Sequence, residues 1–502
     1  MQFIENFPFF TIVLSLFCAV ICFAFRDNRA RFVCYGLLFA GAVMSASVLA
    51  YNLTSETGYF VYRMGHYDSP IGNEIAAGIL EPFFVLLFEV IMLLSLIGGS
   101  YRIKRDVPES RHTFFCVMVC LTHAALSALC YTNDIFTAYV FVEICTIASC
   151  ALLMARRPTR PLVAATRYMV FSLIGSSLLL IGIVLLYSVT GQLLFPQLYS
   201  TIQTLWATGE YTHPLTIALG LIVSGLTIKS GLFPFHWWMR DTYATATPAA
   251  SGILSGVISK CYIFLLIKLI GRVIGREIYM ESGIHTVLLI FGIVGMIFGS
   301  IAAIHAHNLN FMLAYSSAAQ IGYIYMGLGL GTDAALLAAL FQIVAHTLAK
   351  PMLFLSAMGL SDTVDRKQDF DTLRSSAHWN RFAGIGYAAG ALSMVGIPIF
   401  AGFVPKLLFS VSAFGHGWKT YGILAALAVS TILNVVYFLR TLVNVYSPAL
   451  VTTERRKITF RMASAFSIAV LLMVIINVAV GLYAQPLISL FEKGIYIFTS
   501  VH

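Results

Sequence analysis

Charge is scarce in this sequence. Of its 502 residues only 11% are Asp, Glu, Lys or Arg, where soluble domains carry roughly 25%. With 59% hydrophobic residues, the chain cannot hide its apolar surface in one aqueous core, and the solvent that suits it is lipid. No polar stretch long enough for a soluble domain remains once the apolar runs are set aside. A Gly-rich phosphate loop is missing, and so is any haem, flavin or iron–sulfur pattern, so no cofactor is expected on this chain. There is no CxxC: Cys18, Cys22, Cys34, Cys116, Cys120, Cys130, Cys145, Cys150 and Cys261 all fall in apolar runs. Cys116 and Cys120 share a helix face, but the sequence shows no His or Cys that completes a metal set. Buried apolar thiols are the better reading, and no metal is expected. A basic segment ahead of the first apolar run is lacking too, so Met1 to Phe25 reads as a first helix that stays, not a cleaved signal.

What the sequence has is apolar runs of spanning length from end to end. A membrane helix needs about 20 mostly apolar residues. Fourteen runs qualify: 7–25, 32–53, 77–99, 112–131, 135–155, 164–189, 213–238, 248–271, 283–305, 309–331, 334–360, 384–413, 420–445 and 463–487, with a polar, aromatic loop at 190–211. The fold class is therefore all-α integral membrane. The net charge of +9 does not point to nucleic acid, because the basic residues lie in short loops. With the N-terminus outside, the inward loops hold twenty Lys and Arg and the outward segments five: Arg63, Arg272, Arg276, Lys419 and Lys493. The inward set includes Arg26, Arg102, Arg156, Arg157, Arg240, Arg366, Arg455, Arg456 and Arg461. That bias places both termini outside an inner (cytoplasmic) membrane.

Six basic residues remain inside the runs: Lys229, Lys260, Lys268, Lys350, Lys406 and Arg440, with Glu143 and Glu89 as the clearest acidic partners. Each charge at membrane depth costs about 2.5–3.5 kcal/mol on insertion scales. Snorkelling accounts for residues near run ends and is the expectation for Lys268 and Arg440. It does not account for Lys229, Lys260 or Lys406. Lysine suits a switchable site, since burial disfavours the ammonium and a nearby carboxylate restores it. Arginine stays charged throughout. Glu143 is the natural modulator of Lys229, although a permanent pair that only fixes packing is the alternative. His346 and Lys350 are four apart and share a helix face, where either could pass a proton to the other through water.

Two runs are interrupted beside a lysine. One contains Lys229-Ser-Gly-Leu-Phe-Pro234-Phe-His236, the other Gly396-Ile-Pro398-Ile-Phe-Ala-Gly402-Phe-Val-Pro405-Lys406. Proline inside a helix removes a hydrogen bond and breaks the rod. Such breaks at membrane depth are tolerated where they line protein or water. The seventh and twelfth runs cross the bilayer in opposite directions, which is the pattern of an inverted repeat of helices 4–8 against 9–13. The expected organisation is 1–111 as N-terminal helices, 112–271 and 283–445 as two five-helix half-channels, and 446–502 as a C-terminal helix.

At these residues the sequence resembles the antiporter-like membrane subunits shared by respiratory complex I, Mrp-type sodium/proton antiporters and membrane-bound energy-converting hydrogenases. The motifs are FVEI around Glu143, IKSGLFPFHWWMRDTYATATPAASGILSGVISK from Ile228 to Lys260, LAYSSAAQIGYI from Leu313, AHTLAKPMLFL from Ala345 and GIPIFAGFVPK ending at Lys406. The likeness runs from about residue 70 to 445. It implies an order that the residues alone do not: Glu143 and Lys229 as the pair of one half-channel, Lys260 at the centre, His346 and Lys350 relaying onward, and Lys406 closing the path to the outside. His236, Lys268 and Glu89 are auxiliary candidates.

The family usually reads Trp/Phe-Leu-Pro-Asp after the equivalent of His236, where Met239 and Arg240 here precede Asp241. It often has His in place of Tyr243, and an acidic and a basic residue in place of Asn308 and Phe311. These departures bear on proton entry and loop contacts, and the buried lysines are intact. The stretch YRMGHYDSPIGNE from Tyr62 looks most like Mrp and hydrogenase-type subunits, and no long lateral helix of the largest complex I subunit follows the last run. The resemblance implies a proton-translocating subunit without a redox site of its own, within an ion-translocating oxidoreductase. Its partners would be other membrane subunits, further antiporter-like ones among them, which can carry iron–sulfur clusters or other redox centres. The competing readings are a sodium/proton antiporter subunit, an independent solute transporter, and a non-pumping structural or quinone-contacting subunit.

Overall fold

The computed structural model describes residues 3–25, 29–67, 73–156, 160–415, 417–449, 457–458 and 464–500. Arg26, Arg157, Arg455, Arg456 and Arg461 of the basic loops, and residues 68–72 of the Tyr62 stretch, lie outside the described residues. Six helices come first: α1 (Phe7–Ala24), α2 (Ala30–Thr54), α3 (Leu80–Asp106), α4 (His112–Tyr131), α5 (Ile135–Met154) and α6 (Arg160–Thr190). The expected loop at 190–211 is mostly helix, α7 (Phe195–Thr208). Its Phe195, Leu198 and Ile202 are buried at i, i+3 and i+7, an amphipathic stripe too short for a span. The first broken helix is α8 (Thr212–Ser230) and α9 (Trp237–Thr245). The next span is continuous but irregular: α10 (Pro248–Ile253), a π turn at Leu254–Ile258, α11 (Ser259–Leu269) and a second π turn at Ile270–Ile274.

After α12 (Arg276–Glu281) come α13 (Ile284–Ile304), α14 (Leu309–Leu330) and α15 (Asp333–Ser361). The short α16 (Ser376–Trp379) precedes the second broken helix, α17 (Arg381–Val395) and α18 (Phe403–Ser412), and then α19 (Trp418–Tyr446). The last expected run splits into α20 (Ser464–Leu482) and α21 (Ala484–Ser500). Pro486 explains the split, since proline fits the first turn of a new helix but not the interior of an old one. A small antiparallel hairpin, β1 (Phe60–Arg63) with β2 (Glu74–Ala77), is the one sheet among the described residues.

Twelve helices among the described residues are long and apolar enough to cross a membrane. They match twelve of the fourteen expected runs. The other two runs are α14, diluted by Ser, Gln, Tyr and Gly, and the broken pair α17–α18.

The spans differ in burial, and the difference locates the centre. Pro248–Ile274 and Asp333–Ser361 are buried almost throughout, whereas α1, α2, α6 and α19 keep a broad apolar face outward. The two central spans carry Lys260, Lys268, His346 and Lys350. They touch where Gly256 faces Pro351: a Cβ at 256 would collide with the proline ring, the close approach that small residues permit in membrane helices. Arg102 at the end of α3, Arg156 after α5 and Arg366 after α15 converge on Asp106, so these three loops share one face.

Candidate functional site

Both broken helices end their first half in the same way. The N–H groups of Gly231 and Leu232 bond back to Ile228 and Thr227, and those of Gly396 and Ile397 to Ser393 and Leu392. Each is a Schellman cap, with its glycine at positive φ, +82° at Gly231 and +90° at Gly396. The carbonyl end of each half-helix is a partial negative pole inside the protein. A lysine stands at each. Lys229 is in the last turn of α8 itself. Lys406 comes from α18 and reaches back to donate to the Met394 and Val395 carbonyls of α17, at 3.2 and 2.6 Å.

Lys229 is 1% exposed. It donates to the Thr146 hydroxyl at 2.7 Å and stands 3.8 Å from Glu143 Oε1, so its tight partner is the hydroxyl and its charge partner sits at the limit of an ion pair. The Glu143 side chain is 23% exposed on the flank of the molecule. The Tyr262 ring lies under the ammonium at 5.7 Å.

Lys260 lies two residues past the first π turn. Its ammonium donates to the Ser255 carbonyl, five residues back and within that turn. π turns inside α-helices recur at functional sites because they free backbone groups. The Ser255 hydroxyl meets Ser317 at 2.9 Å. Ser316 and Ser317 both donate to the Leu313 carbonyl, and Lys350 donates to that carbonyl at 2.9 Å and to the Ser316 hydroxyl. Lys260 and Lys350 are thus joined through serines of the LAYSS motif. His346 lies within electrostatic reach of both lysines, and neither of its ring nitrogens has a hydrogen-bond partner among the described residues.

A polar chain continues toward Lys406. Tyr437 faces Ser316 and bonds Asn434 at 2.5 Å; Asn434 donates to Tyr323 at 3.3 Å; and Lys406 lies 5.6 Å over the Tyr323 ring. Between Lys229 and Lys260 no direct hydrogen bond joins the two among the described residues. The halves do meet nearby, where Ser230 and Tyr325 hydroxyls are 2.7 Å apart.

The sequence reading missed Thr146, Ser255, Ser316, Ser317, Tyr323, Asn434 and Tyr437. Hydroxyl and amide residues inside apolar runs were the available signal. His236 is buried against Phe233 and Trp237 at the first break.

Two auxiliary candidates stand apart from this line. Glu89 pairs with His123 at 2.9 Å, and His123 with Ser15 at 2.7 Å, so its partner is a histidine, not a lysine. Snorkelling does not describe Lys268, which is 0% exposed and donates to the Cys130 and Thr132 carbonyls at the end of α4, at 2.7 and 2.5 Å. Beside it Arg272 meets Glu81 at 2.6 Å, both buried, where an outward loop arginine was expected. Arg440 is exposed on α19. On the Asp106 face, Asp362 bonds Arg102 at 2.5 Å; burial pushes its carboxyl above the ordinary range and the Arg102 charge opposes that.

Residues 132–434 match the family described as NADH:quinone oxidoreductase/Mrp antiporter, TM. The chain is 30% identical over 462 residues to NADH-quinone oxidoreductase subunit N of Desulforudis audaxviator, covering 89% of this chain and 90% of that one. It is 25% identical over 395 residues to the D-type subunit of the Na(+)/H(+) antiporter of Alkalihalophilus pseudofirmus, covering 79% and 78%. In fold it is similar to a chain of the Mrp complex from a Dietzia species, with TM-score 0.84, 20% identity and coverage of 100% and 98%. It is equally similar to a chain of the archaeal membrane-bound sulfane sulfur reductase, with TM-score 0.86, 21% identity and coverage of 99% and 98%.

Proposed function

This chain belongs to the NADH:quinone oxidoreductase/Mrp antiporter transmembrane family, and from that premise we propose that it carries protons along Glu143, Lys229, Lys260, His346, Lys350 and Lys406. It is an antiporter-like membrane subunit with buried charged residues. One observation carries the proposed path: two fully buried lysines, Lys260 and Lys350, linked through Ser255, Ser317 and Ser316, with His346 unbonded between them. A structural ion pair would join opposite charges. Two like charges bridged by serines and the Ser255 and Leu313 carbonyls suit occupancy by one proton at a time, since a proton on one lysine repels a second from the other.

In this reading α4 to α11 and α13 to α19 are two inverted half-channels. Both have a Schellman-capped break with a lysine at the carbonyl pole. Lys229 holds a proton while Glu143 is near, and releases it toward Lys260 through water when Glu143 is drawn away. Lys350 passes it on to Lys406 through water held along Tyr437, Asn434 and Tyr323, whose polar groups line the way. The relatives that are subunits of NADH-quinone oxidoreductase and of a sodium/proton antiporter both suit such a path. We place the chain in an inner membrane, in a complex with further membrane subunits that supply the driving energy. A sodium/proton antiporter subunit is the second reading, favoured by the Alkalihalophilus relative.

The test is proton uptake by proteoliposomes of the assembled complex, wild type beside Lys260→Met, which keeps volume and removes charge. Uptake near background in an assembled variant is expected. Undiminished uptake would remove Lys260 from the path and favour a non-pumping role.

A further inference from the structure

We propose that Cys22, Cys34 and Cys120 form a binding site for a thiophilic d10 cation, such as Zn2+, Cd2+ or Cu+. Their sulfurs come from three helices, α1, α2 and α4, and all lie within 4.8 Å of one another. The Cys34–Cys120 pair is 3.7 Å apart. A metal–sulfur bond of about 2.3 Å sets sulfur–sulfur spacings of about 3.8–4.0 Å in tetrahedral or trigonal sites. The triad therefore reaches ligand geometry by closing less than about 1 Å. The sequence reading found no partner for the Cys116–Cys120 face because the missing thiols lie in two other helices.

All three side chains are almost wholly buried. Their present bonds are weak ones: Cys34 donates to the Cys116 carbonyl at 3.4 Å and Cys22 to the Ala30 carbonyl at 3.8 Å. A cation would replace these S–H contacts with thiolate bonds and release three protons for a trithiolate. A small cavity of about 30 Å3 reaches Cys34 and Cys116 and is lined also by Arg31, Lys104 and His112. It offers an entry route to Cys34. Soft thiolates with no carboxylate among them exclude Mg2+ and Ca2+.

Occupancy would pin one three-helix seam. Ser15 lies seven residues from Cys22 on α1, Gly41 seven from Cys34 on α2, and His123 three from Cys120 on α4. Gly41 and His123 face Glu89, and Ser15 bonds the far nitrogen of His123. The bound ion therefore fastens the helices that hold the Glu89–His123 pair, and metal should raise the unfolding temperature.

The experiment is a Cd2+ titration of the reduced, assembled complex in detergent, read by sulfur-to-cadmium charge-transfer absorption and by bound metal content. The subunit is compared as wild type, Cys22→Ala, Cys34→Ala, Cys120→Ala and Cys150→Ala. One Cd2+ per subunit above the amount bound by Cys120→Ala is expected, with affinity falling by at least about 100-fold in each triad variant, beyond the 10- to 100-fold of outer-shell losses. Cys150→Ala should bind as wild type does. Equal loss in Cys150→Ala overturns the site, as does equal binding by wild type and the triad variants. If the triad variants fail to assemble, the wild type alone decides: no charge-transfer band and no upward shift in unfolding temperature with Cd2+ would refute it.

Discussion

Ser316→Ala is the sharpest probe of the link between the two central lysines. It deletes a single oxygen and leaves almost no cavity. The Lys350 ammonium then keeps the Leu313 carbonyl at 2.9 Å and loses its hydroxyl partner. A hydrogen bond to a charged group is worth roughly 1.5–3 kcal/mol. At about 1.36 kcal/mol per decade of rate, the whole of that loss in the transfer barrier slows proton movement about 10- to 150-fold. Ser317→Ala removes the 2.9 Å contact with Ser255, a bond between neutral groups. At roughly 0.5–1.5 kcal/mol it should slow transfer only about 2- to 10-fold. The assay is proton uptake into proteoliposomes with an internal pH-sensitive dye, started by the partner reaction, on variants checked for assembly and unfolding temperature. The ranking is the test. If Ser316→Ala pumps within twofold of wild type, or Ser317→Ala is the slower of the two, the serine bridge lies off the proton's route.

Further substitutions test the frame around the path. Gly396→Ala forces a side chain to a φ of +90° and against Lys406, and should cost about 1–3 kcal/mol, read as a lower unfolding midpoint. Gly36→Ala, a helical position with open space around it, should be neutral or slightly stabilising. Arg272→Met strands the Glu81 carboxylate in the interior at a cost of about 3–5 kcal/mol. Adding Glu81→Gln, which retains an acceptor for the Gly78 N–H, should restore most of that; a double variant no better than Arg272→Met alone would mean the pair is not what holds the segment.

Much of this architecture is legible in the residues themselves. Apolar length, the depth of each charge and the prolines at 234, 398 and 405 depend on local composition, and the spans and both breaks fall where those features lie. Partnerships depend on where helices cross, and local composition is silent on that. Lys268 sits near the end of its run and reads as a snorkelling residue, yet α4 ends beside it and offers carbonyls. Glu89 is an acid in search of a lysine until α4 brings His123 to it. The thiol triad needs three helices to converge. Polar spacing hid α7, whose 14 residues are too few for a span, and the hairpin after α2, whose strands are four residues each.

The two lysines at the broken helices differ in what can be taken from them. Glu143 and Thr146, which serve Lys229, are side chains, so a single codon change alters or removes either. Lys406 is held by the Met394 and Val395 carbonyls, which every residue possesses. No substitution there other than one that undoes the helix end deletes them. One half of the molecule is therefore open to inherited adjustment at its lysine, while the other is guarded against it. Across descendants of this chain, drift in transport behaviour should enter more readily through the side chains around Lys229 than through the carbonyls that hold Lys406.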